Sequence, residues 1–139
     1  MRRWASHGHA GGLDRPPRWA AGAALAFVLL GAAALSAGVS APRVAVLLAL
    51  APLAEESIFR AGLHETLLRH GQARWLANAL TALAFGAAHV ALRGDPAALA
   101  VALPALLIGA VYERTRRLWH CVALHAAMNA IWLAWGLAA

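Results

Sequence analysis

The stretch VAVLLALAPLAEESIFRAGLHETLL, residues 44–68, decides the fold. It has the length and apolar character of a membrane-spanning helix, which needs about 20 mostly apolar residues. Yet its second half carries Glu55, Glu56, Arg60, His64 and Glu65. One charged side chain at the centre of a spanning helix costs about 2.5 to 3.5 kcal/mol even on a lenient insertion scale. Glu55, Glu56 and Arg60 are therefore tolerable together only if other helices cover them. The stretch predicts a bundle of several spans with a polar interior, not a lone anchor.

The rest of the chain supplies those helices. Of 139 residues, 62% are hydrophobic and 13% charged, and the mean hydropathy is +0.63. The apolar residues come in long runs, which is the composition of a membrane domain. Polar and proline punctuation divides residues 19–139 into five predicted spans, about 19–39, 44–68, 75–92, 97–112 and 118–137. Residues 1–18, polar and Gly-rich with Arg2, Arg3, Arg15 and Arg18, read as a flexible cytoplasmic tail. The expected fold class is an all-α polytopic transmembrane bundle. Pro52 is placed to begin or kink the second half of its span.

All 12 Lys+Arg positions are arginine, and the formal net charge is +6. Because these arginines lie between apolar runs, they point to topology and not to a nucleic-acid partner. With the N-terminus inside, the inner segments hold Arg2, Arg3, Arg15, Arg18, Arg69, Arg74, Arg114, Arg116 and Arg117. The outer segments hold only Arg43 and Arg93, and Arg60 lies within a span. The expected placement is an integral protein of a bacterial inner membrane, N-terminus in the cytoplasm. The single cysteine, Cys121, excludes an internal disulfide and a Cys-based zinc site. Trp75, Trp119, Trp132 and Trp135 fall near span ends and read as interfacial anchors. His64, Glu65 and His70 lie toward the inner end of their span and read as a solvated or interfacial face.

Glu56 and Arg60 are four residues apart, one helical turn, so they can pair. Glu55 has no partner at that spacing and lies about 100° around the helix from Glu56. It is the expected free carboxylate. Two other spans carry side chains of interest at one-turn spacing, Phe85 with His89 and His125 with Asn129. If those faces converge on Glu55, the bundle encloses a polar pocket. A carboxylate withdrawn from bulk water can take a proton from a bound water, while imidazole and carboxamide groups hold that water and donate to a developing oxyanion. That is equipment for hydrolysing an amide. Depth poses a mismatch, since Glu55 sits mid-span while His89 lies about 6 Å from the outer end of its own.

At these residues the sequence resembles the CAAX-protease and bacteriocin-processing (CPBP) group of intramembrane proteases, which includes the prenyl-protein endopeptidases. Glu55-Glu56-Ser57-Ile58-Phe59-Arg60 is similar to its E-E-x-x-x-R motif, with Pro52 three residues ahead. Phe85-Gly86-Ala87-Ala88-His89 resembles its F-x-x-x-H motif and His125-Ala126-Ala127-Met128-Asn129 its H-x-x-x-N motif. The resemblance implies a water-activating Glu55 assisted by His89, oxyanion binding by His125 and Asn129, and supporting roles for Glu56, Arg60 and Phe85. It further implies a membrane-associated or C-terminal protein segment as substrate, with a sorting signal as one form of it. No cofactor is expected, since there is no H-E-x-x-H and neither histidine has an evident partner carboxylate; the alternative is a zinc site of Glu55, His89 and His125. The residue after the motif arginine, often glycine in the group, is Ala61. The chain is also short for the group, so a second copy or an accessory subunit is an expected partner. Two other readings use the same residues: a proton-coupled transporter with Glu55 as carrier, and a bacteriocin immunity or assembly factor without protease activity.

Overall fold

The computed structural model describes residues 31–138 together with residues 25, 28 and 29. The predicted tail, 1–18, and residues 19–24, 26, 27 and 30 of the first predicted span lie outside the described residues. All regular structure among the described residues is helical.

Residues 41–69 form one continuous helix, α1. Its α-helical parts Ala41–Ala45, Ala51–Glu56 and Glu65–Arg69 alternate with wider π-helical stretches at Val46–Leu50 and Ser57–His64. Helix α2 is Arg74–Arg93, ended by Gly94, whose φ of +68° is the left-handed conformation that favours glycine. Asp95 then accepts from Ala97 N at 2.9 Å and starts a tighter 3₁₀ turn, Pro96–Val101, which runs into α3, Ala102–Thr115. Helix α4 is Leu118–Ala138. α2 packs on α3, α3 on α4, α4 on the first half of α1, and α2 on its Ser57–His64 stretch. These four helices thus close a ring in which α1 meets α4 with its first half and α2 with its second.

Sorting of side chains is inverted relative to a soluble bundle. Glu56, Arg60 and His64 are completely buried, while Ile58 (63% exposed), Leu103 (70%) and Ile131 (64%) face outward. Water would reverse that order, whereas hydrocarbon outside a polar interior produces it. Arg74–Arg93 and Pro96–Thr115 are each 20 residues long and apolar enough to cross a membrane. The protein is an all-α membrane bundle.

With lipid outside, helices associate through close packing more than through the hydrophobic effect, and small residues permit it. Ala77, Ala82, Ala105, Ala126 and Ala130 are buried at the contacts. A methyl on Gly109 would lie 2.6 Å from Asn78 Cγ, so the bare glycine lets the Asn78 carboxamide lie across α3 and donate to Leu106 O at 3.0 Å. Gly86, inside the second motif, has the same use against Leu99 and Ala102.

His64 corrects the sequence reading, whereas Glu65 keeps a part-exposed place among exposed arginines. His64 is fully buried beside the Tyr112 ring, with Nε2 3.4 Å from Glu113 Oε1. Glu65 accepts from Arg69 and Arg116 and from the Tyr112 hydroxyl at 3.1 Å. The reason is register: Glu56, Arg60 and His64 repeat every four residues, and the wide winding of Ser57–His64 keeps that stripe turned inward.

Candidate active site

The site is built from the middle of α1 outward. Glu56 uses both carboxylate oxygens: Arg60 Nε donates to Oε2 at 2.8 Å, and His125 Nδ1 lies 2.8 Å from Oε1. A carboxylate can only accept unless protonated, so His125 carries its proton on Nδ1 and presents Nε2 to the other side. There it faces Glu55, with Nε2 3.7 Å from Oε2. Glu55 Oε2 is buried yet has no hydrogen-bond partner among the described residues. Arg60 in turn donates from Nη2 to Ala105 O at 3.0 Å, which ties α1 to α3. The expectation that neither histidine has a partner carboxylate is corrected: Glu56 holds His125, across 69 positions of sequence.

His89 hydrogen-bonds through Nδ1 to Phe85 O at 3.0 Å. A carbonyl only accepts, so Nδ1 is the donor, and a neutral ring then offers Nε2 as a lone-pair acceptor. The Phe85 ring packs against both histidines, 4.5 Å from His89 and 5.8 Å from His125 by centroids, and is braced edge-on by Phe59 at 5.0 Å. Despite the depth mismatch, His89, His125 and Asn129 line one cavity of about 200 Å³. Glu55 is not among its lining residues and meets it through His125.

Asn129 is placed by a device the sequence reading did not find. In the wide stretch before Pro52 each N–H bonds five residues back, as Ala51 N does to Val46 O. The next bond in that register would run from residue 52 to Leu47 O, and proline has no N–H to give. Leu47 O is left open, and Asn129 Nδ2 donates to it at 2.9 Å. Pro52 stands at the start of the α-helical part Ala51–Glu56, the beginning that the sequence offered as one of its two roles, and frees a carbonyl that anchors a motif residue on α4.

A family model described as type II CAAX prenyl endopeptidase Rce1-like matches residues 37–131. The chain belongs to that family. The matched interval runs from just before α1 to beyond Asn129 and contains all three motifs. Membership makes this protein an integral-membrane endopeptidase of the CAAX type, acting on a peptide or protein substrate. No curated protein and no solved structure matches the chain.

A zinc ion in such a site would need three converging donors. Among the described residues no group of three His, Cys, Asp or Glu side chains is placed to hold a metal.

Proposed function

We propose that the protein cleaves a peptide bond in a membrane-associated or C-terminal protein segment by a glutamate mechanism. The observation that carries this reading is the unpartnered, buried Glu55 Oε2 facing His125 Nε2 at 3.7 Å. Glu55 takes a proton from water as the water oxygen bonds to the carbonyl carbon, with His89 Nε2 accepting from the same water. His125, oriented by Glu56, and the second amide hydrogen of Asn129 bind the oxyanion. Glu55 then returns the proton to the departing amine as the C–N bond breaks. The tail at 1–18, a five-span count and an N-inside orientation in a bacterial inner membrane complete the proposal and rest on the apolar runs and the arginine distribution.

Reconstituted in proteoliposomes, the full chain is expected to cleave an S-farnesylated CAAX peptide or a peptide with an apolar span and basic tail. Exhaustive chelation followed by dialysis is expected to leave the rate unchanged. Loss of activity that zinc restores would overturn the glutamate mechanism while leaving the endopeptidase in place.

Pro52→Ala restores an N–H that competes with Asn129 for Leu47 O. Turnover is expected to fall severalfold in the wild-type background and to change little in Asn129→Ala. Equal losses in both backgrounds, measured as a double-mutant cycle, would mean that the proline acts elsewhere.

A further inference from the structure

The cavity that holds His89, His125 and Asn129 has apolar walls, among them Val101, Ile108 and Met128, and Arg93 also lines it. Apart from the two histidines, Arg93 is the only ionisable side chain among its lining residues. It ends α2, one turn beyond His89 on the same face, and the chain turns away at Gly94. Arg60, Arg69 and Arg116 each hold a carboxylate, whereas Arg93 has no ion pair or hydrogen bond among the described residues. An uncommitted guanidinium at the mouth of an apolar cavity is complementary to a carboxylate, which it can bind in a bidentate fork.

We propose that Arg93 is a specificity residue that binds a carboxylate of the substrate close to the scissile bond, namely the free C-terminus of the released segment. This rests on the protease reading above. Four residues of helix separate His89 from Arg93 by about 6 Å along the axis. Extended peptide advances about 3.3 to 3.6 Å per residue, so an anion held by Arg93 stands only a few residues from a carbonyl held at the histidines. The released segment is therefore short, and the cavity walls select apolar side chains for it.

The probe is a pair of S-farnesylated peptides ending Cys-Val-Ile-Ala, one a free acid and one a carboxamide, presented to the full chain in proteoliposomes. The wild type is expected to show a KM about tenfold lower for the acid, the scale of one charge-assisted hydrogen-bonded pair. Arg93→Gln is expected to raise KM for the acid to that of the amide with kcat unchanged, and Arg93→Lys to keep part of the preference. Binding of both peptides to the wild type, with a non-cleavable ketomethylene in place of the scissile amide and read by fluorescence anisotropy, makes the same comparison without turnover, so failure of the glutamate mechanism does not obscure it. Equal affinity of the wild type for acid and amide, or no binding of either, overturns the proposal. So does an Arg93→Gln variant that weakens both peptides equally, which would assign Arg93 to lipid phosphate instead.

Discussion

Glu55→Gln is expected to reduce peptide cleavage by about 10²- to 10⁴-fold, the range attributed to a positioned general base. The substitution keeps the shape of the side chain and removes its ability to take a proton. Folding is not expected to suffer. Glu55 Oε2 is buried without a hydrogen-bond partner among the described residues, and such an atom is a burden on stability that active sites commonly carry. Removing its charge is expected to leave thermal stability unchanged or to raise it by up to about 1 kcal/mol. Cleavage assays and melting curves on the same detergent-solubilised preparations measure both. Full activity in Glu55→Gln would exclude Glu55 as the base. Immunity conferred by that variant without any cleavage would favour the immunity-factor alternative.

Arg60→Leu is expected to destabilise the bundle by about 3 to 5 kcal/mol, because it strands a buried carboxylate. Glu56 and Arg60 are both completely buried and 2.8 Å apart, and Arg60 also bonds Ala105 O across to α3. If the single variant fails to accumulate, the double variant Glu56→Gln/Arg60→Leu keeps the test open. It removes both charges and is expected to recover much of the lost stability, since an absent pair costs less than a broken one. It should still be impaired in cleavage by about 10- to 100-fold, since His125 has lost the carboxylate that fixes its tautomer. Resistance to limited proteolysis and thermal unfolding report the first effect and turnover the second. A single Arg60→Leu variant as stable as the wild type would show that the pair does not hold the bundle.

Much of this was legible in residues close in sequence. The apolar runs implied the helical bundle, and the one-turn spacing of Glu56 and Arg60 implied their pair. What stayed hidden depends on contacts between distant helices. Nothing local to Glu56 indicates that its second oxygen meets His125, and nothing local to Asn129 indicates that Leu47 lacks its usual donor. That second contact needs two facts at once, a wide helical turn and a proline at one position within it. The inward turn of His64 did have a signal, the four-residue repeat through Glu56 and Arg60. It was masked by the ordinary assumption that polar residues near a span end face water or headgroups. The depth mismatch between Glu55 and His89 came from treating spans as parallel rods, whereas α1 crosses the ring and meets α4 with one half and α2 with the other.

The full burial of Glu56 bears on how this scaffold can change over evolutionary time. Glu56 is needed by the architecture whether or not any substrate is turned over, because Arg60 and His125 both depend on it. Glu55 carries no such obligation. A lineage that abandoned catalysis and kept the bundle as a binding or assembly factor would be free to lose Glu55 while still being constrained to retain Glu56 and Arg60. Among sequences sharing this scaffold, the second glutamate and the arginine therefore report a foldable chain, and the first glutamate is the position that separates working enzymes from inactive descendants.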